Sequence, residues 1–294
     1  MAADPTIVEL PVQGPFSLAA SAHFLEGFAP RGTHAAQRET LALAFPVEGA
    51  WRTAGALVSQ RGDRVTAAVY GDLDPEAVRA QLARLLSLDV DGRGFPSVGE
   101  RDATVGELQR RYPGLRLLGF WSPYEAAAWA ILSHRIRITQ AATIKRRLCE
   151  QHGSLVETDG LRLHAFPAPR ALHQLGTFDG IAKRKLPWLH AIAEAAIERK
   201  LDGGRLRSLE PGQALQELCG LPGIGPFGAE LILIRGATHP DVFPTHERRL
   251  HEEIALAYKL GDPSLADLQD IAEGWRPYRS WVALLLRTRR EADE

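Results

Sequence analysis

The residues best suited to chemistry fall in one stretch, Leu218 to Leu250. Pro222-Gly223-Ile224-Gly225-Pro226 suits a tight turn between two helices: Gly223 and Gly225 can take backbone angles closed to other residues, and they leave their N–H groups uncovered. Ile224 between them is placed to anchor the turn. Amides at the start of the next helix, which takes in Phe227 and Gly228, can hold a phosphate without any lysine. Further on stands an acid, Glu247, between His246 and His251. Such a carboxylate can stabilise positive charge that develops on a bound group. A second reading stays open: with Thr245 as N-cap, Glu247 falls in the first helical turn, where an acid is favoured without chemical duty. Glu247 and His251 share a helical face, but an acid and one histidine without a third ligand make weak metal chemistry. No GxxxxGK phosphate loop, GxSxG elbow or HExxH pair occurs. The two cysteines, Cys149 and Cys219, lack metal or disulfide spacing.

The elements that must position these residues divide the chain in two. Residues 1–98 read as a domain of mixed helix and strand. A segment from Gly14 to Ser21 runs on through Phe24-Leu25, Arg64 to Tyr70 alternates like a strand, and Pro75 opens an amphipathic helix carrying Val78, Leu82, Leu85 and Leu86. Trp51 falls among the strands as a core or cover residue. Asp91 to Glu100 is glycine-rich and polar, and reads as a linker. Residues 99–294 read as almost wholly helical. Ser122-Pro123-Tyr124-Glu125 is a helix start with Ser122 as N-cap. Gln213 to Cys219 is the first helix of the glycine hairpin, Phe227 to Ile234 a mostly buried second one, and a long helix follows Glu247 to Leu260. The fold class is therefore α+β.

Taken with Asp241-Val242-Phe243-Pro244 and Trp275-Arg276-Pro277-Tyr278-Arg279-Ser280, the hairpin resembles the helix-hairpin-helix superfamily of base-excision DNA glycosylases, in its 3-methyladenine DNA glycosylase II branch. Pro113-Gly114-Leu115-Arg116 and Phe166-Pro167-Ala168-Pro169 match further elements of that family. The resemblance implies an N-terminal antiparallel sheet with helices over residues 1–98, two helical subdomains with a cleft between them over residues 99–294, base flipping from duplex DNA, and hydrolysis of the N-glycosidic bond of a damaged, alkylated base. It places Glu247 where the family carries a catalytic aspartate. Gly223, Ile224, Gly225, Phe227 and Gly228 would meet the DNA. His134 and Arg135, which stand where the family usually has two glutamines, would sit near the gap left by the flipped nucleotide, and Lys183 and Lys185 near backbone phosphate. Trp275, Tyr278 and Trp281 would line the base pocket. Phe227 occupies the position of the lysine in relatives that also cut the backbone, so the resemblance implies base removal without strand cleavage. No cofactor is implied beyond a structural Na+ or K+ on the carbonyls of Leu218, Leu221 and Ile224. Glu247 in place of aspartate keeps a second function open: a catalytically silent or specialised binder of DNA lesions or structures.

The formal net charge of -1 is not that of a strongly basic DNA binder. Its distribution is uneven: residues 1–100 hold 8 Lys or Arg against 12 Asp or Glu, and the remainder 27 against 24. A local cationic face can exist on a neutral protein, and hairpin binding relies partly on backbone amides. The N-terminus lacks the basic and apolar regions of a secretory signal, and no stretch is apolar enough to span a membrane. The expectation is a cytoplasmic monomer whose partner is damaged duplex DNA.

Overall fold

The computed structural model describes residues 5–22, 34–37 and 40–293. The expected segment at Phe24-Leu25 lies outside these residues; ahead of it, residues 18–22 are helical. Five strands, β1 (Thr6–Leu10), β2 (His34–Gln37), β3 (Thr40–Pro46), β4 (Thr53–Arg61) and β5 (Arg64–Tyr70), form an antiparallel sheet of order β1-β5-β4-β3-β2. β5 alternates as its sequence does, burying Val65, Ala67 and Val69. Helix α1 (Pro75–Leu85) covers that face. The Asp74 carboxylate caps its first turn by accepting from the Glu76 N–H, and Val78, Leu82 and Leu85 pack against the sheet. Leu118 and Trp121, from beyond residue 98, complete this core.

The other sheet face carries an element absent from the sequence reading, a hairpin of β6 (Leu155–Thr158) and β7 (Leu161–His164). Its turn, Asp159-Gly160, has positive φ at both residues, the signature of a two-residue hairpin loop. Val156 approaches Gly55 of β4 so closely that a Cβ there would stand 2.5 Å from Val156 Cγ1. Leu163 and Ala165 close a small cluster with Ala42 and Ala44.

The remainder is helical: α2 (Phe95–Arg101), α3 (Ala103–Arg111), α4 (Pro123–Ser133), α5 (Ile138–His152), α6 (Pro169–His173), α7 (Leu186–Ile197), α8 (Gly203–Ser208), α9 (Pro211–Cys219), α10 (Pro226–Leu231), α11 (Arg248–Ala257), α12 (Leu265–Glu273) and α13 (Arg279–Asp293). The α+β expectation holds. Ser122 caps α4 as its sequence proposes, accepting from the Glu125 N–H at 3.1 Å. The stretch expected as a linker instead holds α2, because Phe95 and Val98 find burial in the helical core. α11 stops at Ala257, short of Leu260, with Lys259 at positive φ.

Arg116 fastens the two parts together. Fully buried, it donates to the carbonyls of Pro15, Ser87, Val90 and Gln13, and its guanidinium lies 5.0 Å from the Trp281 ring centroid. Glu48, in the loop after β3, pairs with Arg84 of α1 and accepts from Gly203 N at 2.9 Å. Trp51, on the turn into β4, sets its ring edge-on to Tyr124 of α4. Among the described residues no helix is long and apolar enough to cross a membrane.

Candidate DNA-facing site around the glycine hairpin

Helices α9 and α10 are joined by the glycine turn, which stands exposed from Pro222 to Phe227 except for Ile224. Ile224 is buried, and its N–H donates to Leu221 O at 3.1 Å, so the apolar side chain anchors the turn as its sequence suggests. Only one of the two glycines needs its freedom. Gly223 has φ 81°, and a Cβ on it would come 2.7 Å from the Trp188 ring; Gly225 has φ -96° with open space around it. Gly225 is the residue before Pro226 and adopts the extended backbone that proline demands of its neighbour. Gly228 packs beside Ile224 and Ala130. Phe227 is 54% exposed at the start of α10, while Ala229, Ile232, Leu233 and Ile234 behind it are buried, as expected of a mostly buried helix. Past Leu231 the helix widens into a π turn over Ile232–Gly236.

Trp188 links the hairpin to the His134-Arg135 turn: it underlies Gly223, and its ring lies 6.3 Å from the His134 ring. His134 and Arg135 are exposed, and Arg135 sits at φ 57° where α4 gives way to α5. Desolvation, then the charges of Arg135, Lys185 and Arg184, hold the His134 imidazole below its ordinary value. A cationic patch therefore borders the hairpin, with Lys183 exposed on it. Lys185 is a correction. It is buried, and its ammonium donates to Leu132 O and His134 O at 2.8 and 2.9 Å, closing the carbonyl end of α4.

The loop from His239 to Glu247 is held on both sides. From α13, Arg279 Nε donates to Asp241 Oδ1 at 2.8 Å and its Nη2 to Asp241 O at 2.9 Å. Ser280 both receives the Val242 N–H and donates to Val242 O, each at 3.0 Å. The two motifs singled out in the sequence are thus partners, one clamping the other. From α10, the carboxylate of Glu230, 4% exposed, accepts from Thr245 N at 2.9 Å, Thr245 Oγ1 at 2.5 Å, His246 N at 3.0 Å and His246 Nδ1 at 2.8 Å. Sequence reasoning missed Glu230, although an acid among Ala229, Leu231 and Ile232 is a sign of a buried, partnered charge. Thr245 is not the N-cap of α11, since its hydroxyl is spent on Glu230.

Glu247 itself takes the N-cap position of α11, with no side-chain hydrogen bond to the helix. Its side chain, 30% exposed, pairs with Arg287 Nε of α13 at 2.9 Å. His251, one turn on, donates from Nε2 to Pro244 O at 2.8 Å and stacks on Phe243; a carbonyl only accepts, so Nε2 carries the proton. Among the described residues no group of His, Cys, Asp or Glu is arranged to hold a metal ion. Leu218 O and Leu221 O, expected to face a monovalent cation, each accept a backbone N–H, from Leu221 and Ile224.

The aromatic residues expected to line a base pocket are corrected by the structure. Trp275, Tyr278 and Trp281 are buried. Trp275 donates to Asp102 Oδ2 and Tyr258 OH, and Tyr278 OH to Asp91 O. Trp281 lies against Phe95 and the Arg116 guanidinium. They fasten α13 to the rest of the core. The aromatic that does face outward at the hairpin is Phe227.

The fold recurs in solved structures. A 3-methyladenine DNA glycosylase from Archaeoglobus fulgidus superposes with a TM-score of 0.76 over 96% of each chain, at 22% identity. An 8-oxoguanine glycosylase/lyase from Clostridium acetobutylicum gives 0.69 over 97% of this chain and 95% of its own, at 19% identity. The fold is that of the helix-hairpin-helix DNA glycosylases. The matches include both 3-methyladenine and 8-oxoguanine glycosylases and do not single out one branch. No family model matches the chain. In sequence, a Bacillus subtilis DNA-3-methyladenine glycosylase is 24% identical over 204 residues, 68% of this chain and 67% of the relative. A Mycobacterium tuberculosis protein described as a probable bifunctional transcriptional activator and DNA repair enzyme is 29% identical over 217 residues; the match spans 71% of this chain but 42% of that protein.

Proposed function

We infer that this glycosylase fold works as a monofunctional DNA glycosylase of the 3-methyladenine type, acting as a monomer on damaged duplex DNA. The observation that carries this reading is the tie between hairpin and acid: Glu230 of the hairpin helix grips the residues directly before Glu247. A phosphate held at the exposed glycine turn is thereby set in register with a carboxylate, which is what a glycosylase needs to locate a sugar. The target nucleotide leaves the base stack and enters beside Phe227, whose exposed ring offers a stacking surface. As the bond from C1′ to the base breaks, positive charge grows on the sugar and the Glu247 carboxylate stabilises it. Residues 211–236, the hairpin and its helices, contain no lysine, so no amine stands there to attack C1′, and the product is an abasic site in an intact strand. Arg135 and Lys183, exposed and cationic, and the exposed His134 beside them would meet the DNA backbone and the gap. Any monovalent cation at the hairpin would use the second lone pairs of Leu218 O and Leu221 O together with Ile224 O.

Single-turnover excision from duplexes bearing one N7-methylguanine, hypoxanthine or 8-oxoguanine tests the reading. Glu247→Gln is expected to lower the rate on the preferred lesion by about a hundredfold or more while leaving binding to an abasic-analogue duplex intact. Equal rates for the two proteins would remove Glu247 from the mechanism. The ion pair between Glu247 and Arg287 favours one second reading, a lesion binder whose acid is tied up; it predicts tight abasic-analogue binding with no excision by the wild type.

A further inference from the structure

The geometry points to His246 as the base that takes the proton of the attacking water, with Glu230 as its positioning residue; this rests on the glycosylase reading above. Hydrolysis needs two things beside the sugar, a negative charge for the sugar and an acceptor for a proton. Glu247 suits the first, but one of its oxygens is already engaged by Arg287 Nε at 2.9 Å. The neighbouring side chain has the complementary properties. His246 Nδ1 lies 2.8 Å from Glu230 Oε1 and 2.9 Å from Thr245 Oγ1. An ionised carboxylate only accepts, so Nδ1 carries the ring proton and Nε2 is left with its lone pair. Glu230 is fixed in its turn by burial and by the backbone N–H groups of Thr245 and His246. The ring itself remains open, with its side chain 49% exposed. A buried acid thus holds one edge of an imidazole and leaves the ring exposed, on the residue directly before the candidate catalytic carboxylate. This is the pattern by which a carboxylate orients a histidine base.

In the step proposed, the water oxygen forms a bond to C1′ as the bond from C1′ to the base nitrogen breaks, and the electron pair of that bond leaves with the base. The water proton passes to His246 Nε2. The imidazolium is stabilised through Nδ1 by Glu230 and later returns its proton to the departed base or to solvent. Glu247 stays ionised throughout, facing the sugar.

The experiment measures single-turnover excision and Michaelis parameters for wild type, His246→Ala, His246→Gln and Glu230→Gln on the best duplex of the lesion panel, with and without added imidazole. Affinity for an abasic-analogue duplex certifies folding. His246→Ala is expected to lose about a hundredfold in kcat with KM within about threefold, and to recover in proportion to imidazole. His246→Gln should share the loss and recover less, because its side chain fills the gap. Glu230→Gln should lose about tenfold in kcat and gain nothing from imidazole, since the ring is still there. Full kcat in His246→Ala overturns the assignment. So does a loss confined to KM and insensitive to imidazole, which would make His246 a contact to the DNA backbone. A wild type that excises no base, while binding the abasic analogue, overturns the glycosylase reading and this step with it.

Discussion

His239 stands two residues before the Asp241 that Arg279 grips, and its Nδ1 accepts the Asp241 N–H at 3.1 Å. That bond requires a neutral ring with the proton on Nε2. Desolvation by burial, reinforced by Arg207 and Arg279, pushes its pKa down to about 4. The folded value thus lies below the ordinary histidine value near 6.5. Above that value the ring is neutral in both states and its contribution to stability is complete. As pH falls from about 6.5 toward 4 the unfolded chain binds a proton that the folded chain refuses, and stability is lost across that window. A full shift of this size would be worth about 3 kcal/mol, and partial solvent access brings the expectation to about 2 kcal/mol. Urea unfolding at pH 7.5 and 4.5 measures the loss, and His239→Gln should flatten it. A slope unchanged in the variant would assign the effect to another group.

At the level of elements, the glycine hairpin makes a sharper prediction than its sequence does. Gly223 has both a positive φ and the Trp188 ring where a Cβ would go, whereas Gly225 has neither constraint. Gly223→Ala should cost about 2 kcal/mol or more and, by pushing Trp188 away from His134, weaken DNA binding at least tenfold. Gly225→Ala should change stability by less than about 1 kcal/mol. Thermal unfolding together with fluorescence anisotropy on an abasic-analogue duplex distinguishes them; equal damage from both would mean that the turn is read wrongly. The loop from His239 to Glu247 shows why the two recognisable motifs travel together. Arg279 and Ser280 clamp Asp241 and Val242 from one side while Glu230 holds Thr245 and His246 from the other, so a loop without regular structure reaches Glu247 in a fixed path.

For the molecule as a whole, Arg116 decides how the sheet part and the helical part meet. Its guanidinium answers four carbonyls from two separate segments, Gln13–Pro15 and Ser87–Val90, while lying against Trp281. Burial lowers its pKa to about 10, still far above neutrality, so it stays charged at working pH. Arg116→Met keeps much of the volume but leaves those carbonyls without a donor, and is expected to cost about 3 to 5 kcal/mol. Equilibrium unfolding monitored at tryptophan, beside far-ultraviolet dichroism, reads the loss. Non-coincident transitions in the variant would show the sheet part separating from the helical core, and a loss below about 1 kcal/mol would refute the role assigned to this residue.

What the sequence determined by itself were the features encoded locally. The Ser122 cap, the amphipathic period of α1, the alternation of β5 and the proline-bounded glycine turn depend on neighbours in the chain, and each is found where its pattern puts it. The β6–β7 hairpin carries an equally local signal, Asp159-Gly160 between short alternating runs. What only the tertiary structure decided were the side chains whose role depends on distant partners. Whether Lys185 meets solvent or closes a helix turns on Leu132 and His134, some fifty residues away. The three aromatic residues of the C-terminal motif are buried by α2, α3 and α11 rather than set around a pocket. Glu230 and Arg287 flank the acid because α10, α11 and α13 converge on one loop. Periodicity shows that a side chain will be buried or exposed, but the charge that meets it is chosen by packing across the fold.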